Sequence, residues 1–301
     1  MAALIQSIAI QILITVIAVA GIYVLTGLTG MFSLGSAAFM AIGSYASGLL
    51  VVRAGLPVPV AFVLAIALSV LIGFIVGLPT VRLRRDYISL VTLGFGEAII
   101  ALLNSATTLT GGANGFAGIP RVVTLPVAIV SAVVVVALVA WFKTSKYGRQ
   151  CIAVKGDELA AKAMGVNVPR VKMIAFLVSV AITSFAGCLY AFYITFVDPS
   201  TFGWKQSAEW VIMVFFGGAN SLTGSIFGAL FLGALPEFLR SLLTGLEQYR
   251  TIIYAVLVLL IINFKPSGVF GEWEITQLSP KNLAKRRARK AAAKSKKGGA
   301  Q

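Results

Sequence analysis

What most constrains this chain is a succession of long apolar runs, nearly free of charge, broken by one polar island from Lys143 to Lys172. The runs lie at about 5–25, 33–52, 58–80, 87–104, 124–142, 172–196, 207–217, 222–240 and 248–264. A helix needs roughly 20 residues to cross a hydrocarbon core about 30 Å thick. Strands would leave backbone groups unpaired in lipid unless they closed into a barrel, so helices are required. The chain is 58% hydrophobic and 12% charged, about half the charged fraction of a soluble protein. A water-soluble globule is excluded, and the expected fold is an all-α polytopic membrane protein with about nine transmembrane helices. The 207–217 run is short for a crossing. It reads as a half-span, a steeply packed helix, or a helix whose ends lie elsewhere.

The formal charge of +15 resembles a nucleic-acid signal until it is located. Nine of the 25 Lys and Arg residues fall in the last 21 positions, and most others sit in the short gaps between apolar runs. That is the pattern of membrane topology. If the island is cytoplasmic and the chain alternates through nine spans, the inner side receives 20 basic residues and the outer side five. Without the tail the bias is still 11 to 5. An outside N-terminus and an inside C-terminus follow, and the stretch after about 276 reads as a disordered basic tail drawn to anionic lipid. Ala18-Val19-Ala20 resembles a signal-peptidase site, but no basic residue precedes it and a second apolar run follows at once, so an uncleaved first helix is expected.

Several chemistries have no residues to carry them. The chain has no histidine, the commonest metal ligand and general base. Cys151 and Cys188 have neither metal spacing nor the setting of a disulfide framework. No GxxxxGK[ST] phosphate loop occurs. Gly27, Gly30, Gly35, Gly43 and Gly48 have the spacing that lets helices approach closely in lipid. Thr110 to Pro120 is dense in glycine and reads as irregular backbone with positive φ angles.

Two features point to function. Glu97 is an acid well inside an apolar run, beside Gly94-Phe95-Gly96, which reads as a flexible turn. Intramembrane acids are costly, and Glu97 is either a pathway or gating residue or a structural hydrogen-bonding group. The second feature lies in the island, where Asp157 to Gly165 has the pattern of a short helix. Asp157 can cap it, Glu158 suits the positive end of the helix dipole, and Gly165 can close it in the left-handed conformation. Ala160, Ala161 and Met164 form a small, slightly sticky face, suited to a groove on a soluble partner or to a lipid surface.

Glu158-Leu-Ala-Ala with Gly165 resembles the cytoplasmic coupling motif of bacterial ABC-importer membrane subunits. Tyr147-Gly148-Arg149-Gln150-Cys151, Leu78-Pro79-Thr80-Val81-Arg82, Thr92-Leu93-Gly94-Phe95-Gly96-Glu97, Thr110-Gly111-Gly112 with Asn114-Gly115, and Pro266-Ser-Gly-Val-Phe-Gly271 extend the match. As an ordered set they look like the M-type permease subunit of high-affinity branched-chain amino acid transporters.

The resemblance implies a type II importer-like permease domain over residues 1–275, with the coupling loop at 143–172 and the tail at 276–301. It implies a sister permease, two ATP-binding subunits that dock on the island helices, and an extracytoplasmic substrate-binding protein. It also implies no cofactor in this chain, ATP being used by the partners, and no nucleic acid. Asp157, Glu158, Ala160, Ala161, Met164 and Gly165 then become the coupling residues, and Gly94, Gly96 and Glu97 the candidate path or gate. Related permeases carry urea, other small amides, nucleosides or sugars, so the solute stays open. The rival reading is a gradient-driven secondary transporter, which needs ion-coupling acids at mid-membrane; Glu97 alone qualifies.

Overall fold

The computed structural model describes residues 2–242 apart from 84, together with 255, 256, 259, 263, 268, 269 and 271. Its long helices are α1 (Ala2–Ile22, prolonged by a π-helical turn at Tyr23–Leu28), α2 (Ser36–Val52), α3 (Val58–Thr80) and α4 (Arg85–Ser105). After a short α5 (Thr107–Thr110) come α6 (Leu125–Thr144), α7 (Lys146–Gly156) and α8 (Glu158–Ala163). The chain continues through α9 (Val168–Ile194), α10 (Trp204–Gly217) and α11 (Leu222–Leu242). Eight of the nine apolar runs therefore become helices, five of them long and apolar enough to cross a membrane. The run at 248–264 and the tail from 276 lie outside the described residues, four positions of the run excepted.

The eight helices alternate in direction between two ends. At one end β1 (Phe116–Ala117) pairs antiparallel with β2 (Phe196–Val197), and Arg53 donates to the Thr108 carbonyl at 2.7 Å. Tyr193, near the end of α9, reaches the Ser7 carbonyl, so α1 starts here too. At the other end lie α7, α8 and the turn between α10 and α11. Arg82, Lys143, Lys146, Arg149, Lys155, Lys162, Arg170 and Lys172 gather at this island end, while Arg53 and Arg121 mark the opposite one.

Helix α9 is the hub, packed on α1, α2 and α3. Small residues bring it close. A Cβ at Gly187 would collide with the Met40 backbone, and one at Gly43 with the Ser184 backbone. Hydroxyls then fasten the contact, with Ser44 Oγ donating to the Gly187 carbonyl at 2.8 Å and Ser184 Oγ bonding Ser69 Oγ of α3 at 2.8 Å. Such interhelical bonds stabilise by about 0.6 kcal/mol each in a bilayer, where close packing rather than water exclusion drives association. The glycine spacing in the first two runs is thus a packing signal, as expected.

Three local features depart from the apolar pattern. The 33–52 run becomes helical only at Ser36, and residues 30–35 are non-helical although Met31, Ser33 and Gly35 are buried. Irregular backbone at such depth survives only when its polar groups are satisfied. Thr92 Oγ1 accepts from Leu34 N at 3.2 Å, Ser207 Oγ accepts from Ala37 N at 2.9 Å, and Thr26 Oγ1 donates to the Met31 carbonyl at 3.1 Å. Second, α4 runs unbroken through Gly94-Phe95-Gly96, which corrects the expectation of a turn there. Its i→i−4 bonds and the packing of Phe95 on Phe39, 5.1 Å between centroids, outweigh the helix cost of two glycines.

The third is α10. With 14 residues it spans only about 21 Å. The chain after α9 turns at Thr195, which has φ 65°, and folds back so that Phe202 lies against Tyr190 at 5.7 Å. The helix therefore starts below the end of α9, and still reaches the island end as an antiparallel hairpin with α11. A Cβ at Gly217 would collide with the Gly224 backbone. In the 105–123 loop, Gly111 and Gly115 adopt φ 78° and 75°, the irregular backbone its glycines lead one to expect.

Candidate functional site

The island folds as two helices joined at Asp157. Its carboxylate accepts from Leu159 N and Ala160 N at 2.8 and 3.1 Å, satisfying donors that the first turn of α8 leaves open. Gly165 ends the segment at φ 81°, and no atom lies within 4 Å of where a Cβ would stand, so conformation and not space calls for glycine there. Glu158 forms an ion pair of 2.8 Å with Lys172 in the first turns of α9, and the Lys172 side chain is only 3% exposed against 35% for Glu158. Glu158 thus points inward, toward the bundle, and not solely outward as a docking contact.

The residues expected to make one sticky face divide. Ala161 is buried against the bundle, while Ala160 and Met164 face out. Leu159 joins them: it is 80% exposed and Met164 85%, the two most exposed large apolar side chains described. Sequence reasoning passed over Leu159. The available signal was a leucine one residue after the first acid of a six-residue helix, too short to bury two faces. Beside α8 lies a cavity of about 640 Å³, lined among others by Val81, Leu83, Leu159, Val166 and Pro169.

A second attachment holds the island to the bundle. Lys155 Nζ, at the end of α7, donates to the Gly27 carbonyl at 2.8 Å and to Asn220 Oδ1 at 2.7 Å. Lys143 Nζ, at the end of α6, donates to Tyr23 Oη at 2.9 Å and to the Asn220 carbonyl. Both lysines meet the π-helical turn of α1 and the α10–α11 turn. Gly268 and Val269 also reach this place, Val269 N donating to the Phe216 carbonyl at 2.8 Å. Cys151 is buried within α7, and burial pushes its thiol up to about 12, although a backbone hydrogen bond pulls the other way; it is an unreactive packing residue. At the opposite end burial alone would raise the Asp198 carboxyl, but hydrogen bonds from Ser200 and Thr201 more than offset it and hold the group below the usual carboxylate range.

The three residues singled out in α4 do not converge. Gly96 is buried, a Cβ there lying 3.4 Å from the Gly35 Cα. Gly94 and Glu97 face out, and no neighbour lies within 4 Å of a Cβ at Gly94. Among the described residues the Glu97 carboxylate makes no hydrogen bond or ion pair.

A bundle of alternating apolar helices, with a capped polar helix pair at one end, defines an all-α polytopic membrane protein. The family model described as branched-chain amino acid transport system / permease component matches residues 4–262, and the chain belongs to that family. It is 31% identical over 296 residues to the high-affinity branched-chain amino acid transport system permease protein LivM of Salmonella typhimurium, covering 87% of this chain and 69% of that protein. LivM of Escherichia coli is 31% identical over 283 residues, 83% of this chain and 66% of its own length. The permease protein LivH of Salmonella typhimurium is also similar, at 24% over 194 residues, 64% of this chain and 62% of that one.

Proposed function

We propose that this chain is one of two permease subunits of an ATP-driven importer that carries branched-chain amino acids inward across a bacterial inner membrane. An extracytoplasmic protein delivers the solute, and two ATP-binding subunits dock on the island helices. The family assignment and the names of the LivM and LivH relatives support the solute. The clustering of basic residues at the island end supports placing α7 and α8 in the cytoplasm, with the N-terminus outside and the C-terminus inside. The permease unit is residues 1–275, and the basic tail from 276 rests near anionic lipid. This chain binds no nucleotide.

The observation that carries the reading is the pair Leu159 and Met164, held out into water on a helix locked to the bundle behind it. The lock gives the mechanism. A displacement of α8 by closing ATPases passes through Glu158–Lys172 into α9. It then passes through the Gly43–Ser184 and Gly187–Met40 contacts into α2, and through Ser184–Ser69 into α3. Lys155 carries the same movement to α1 and the α10–α11 turn. The helices bearing the path are thereby driven as packed bodies, exchanging outer for inner access.

The test is the double variant Leu159→Glu, Met164→Glu. Burying each of these side chains in a partner groove is worth about 1.5–3 kcal/mol, or roughly ten- to hundredfold in affinity. Membrane yield should be unchanged while ATPase recovered with the purified permease, and leucine uptake, fall at least tenfold. Uptake that persists with normal ATPase recovery overturns the docking assignment. Uptake by wild-type chain with no ATPase recovered and with dependence on an ion gradient supports the secondary-transporter reading instead.

A further inference from the structure

Three helices expose most of their length. On α3 the exposed side chains include Val60, Val63, Leu64, Leu68, Leu71, Phe74 and Ile75; on α6 they include Val127, Val130, Val133, Val134 and Leu138. Both faces suit lipid tails. Helix α4 differs. Its exposed stripe runs through Leu90, Gly94, Glu97, Ala101 and Ser105 at helical spacing. Lipid offers no group to pair with a carboxylate, and an acid at the middle of a span facing tails costs several kcal/mol by most measures. Gly94 is the second anomaly. It sits in a helix interior with open space around it, where alanine would favour the helix and cost no contact. A glycine facing outward lets another backbone come close, and an acid facing outward calls for a donor or cation on that backbone's side chains.

We infer that the Leu90–Gly94–Glu97–Ala101 stripe of α4 is the surface on which the second permease subunit packs, with Glu97 paired to a basic or hydrogen-donating side chain of that subunit. This rests on the two-permease reading above and adds the face by which the two subunits meet. LivM and LivH both align with this chain, so a like-folded partner is the occupant whose helices have the length to cover such a stripe. The faces of α3 and α6 are left to lipid.

The experiment uses the full assembly, with this chain and the sister permease co-expressed beside the ATPase and the sister carrying a distinct tag. A benzophenone amino acid is placed singly at Ala98 or Ala101 of α4, at Leu68 of α3, or at Val130 of α6, and the membranes are irradiated. Adducts to the tagged sister should form from positions 98 and 101 and be absent from 68 and 130. In parallel, Gly94→Leu should leave the membrane yield of this chain unchanged yet lower recovery of the sister at least tenfold. Glu97→Gln should lower it about three- to tenfold. If the sister co-purifies but its adducts come from α6 or α3, or α4 yields only lipid adducts, the inference is overturned and the two-permease reading stands. Normal sister recovery with Gly94→Leu likewise overturns it. If no second permease co-purifies with the wild-type chain, the reading itself fails and the inference fails with it.

Discussion

Glu158 and Lys172 are unequal partners. The lysine is sealed in the bundle, whereas the glutamate keeps about a third of its surface in water. Removing the glutamate strands a buried cation, which costs up to about 3–5 kcal/mol for a fully buried pair and less here because one partner is hydrated. Replacing the lysine by methionine leaves the carboxylate within reach of water, and puts a side chain of similar length in the apolar site. Glu158→Gln should therefore lower the thermal midpoint of the purified protein more than Lys172→Met. The exchange Glu158→Lys with Lys172→Glu should not restore it, because the buried position would then hold a carboxylate without the donors a buried acid needs. Equal losses from the two single variants would contradict the asymmetry. Asp157 as cap and Gly165 as left-handed closure were legible from residue type alone. The inward turn of Glu158 was not, since Lys172 lies 14 positions away and reads in sequence as an ordinary boundary charge at the start of an apolar run.

At the scale of elements, the apolar runs announced where the helices lie because a bilayer demands both composition and length. They put the first gap at about 26–32, whereas the break falls at residues 30–35, because the groups that satisfy it, Thr92 and Ser207, belong to distant helices. The shortness of α10 was visible, but its cause, the inward fold of the chain at Phe202, depends on contacts with Tyr190. The α2–α9 crossing makes a sharper test of packing. Gly187→Ala places a methyl against the Met40 backbone, where nothing flexible can give way, and overpacking of this kind costs about 1–3 kcal/mol. Gly233→Ala meets only ordinary contacts at 3.7 Å and should be neutral or stabilising by up to about 1 kcal/mol through helix propensity. Thermal midpoints of the two purified variants decide it. A stable Gly187→Ala protein would mean that the hub is looser than drawn.

For the molecule as a whole, the two ends differ in chemistry: one carries a paired β-bridge, a low-pKa Asp198 and few basic residues, the other a rigid polar platform rich in lysine and arginine. Sidedness is the property on which the docking mechanism depends, because ATPases work only on the cytoplasmic face. It can be read with single cysteines. Met164→Cys projects from α8 into water, and Ser200→Cys lies on the exposed turn at the opposite end. The native thiols offer little interference. Cys188 is fully buried, and Cys151 is both buried and pushed up to about 12, so neither supplies an accessible thiolate at neutral pH. A membrane-impermeant maleimide should label the thiol at position 200 in right-side-out cells and leave 164 untouched, with the pattern reversed in inverted vesicles from cells that lack the ATPase subunits. Labelling of 164 from outside the cell would place the Leu159–Met164 surface beyond reach of any ATPase. The helix locked to α9 would then have to serve an extracytoplasmic partner, and the charge bias of 20 to five would have failed as a guide to orientation.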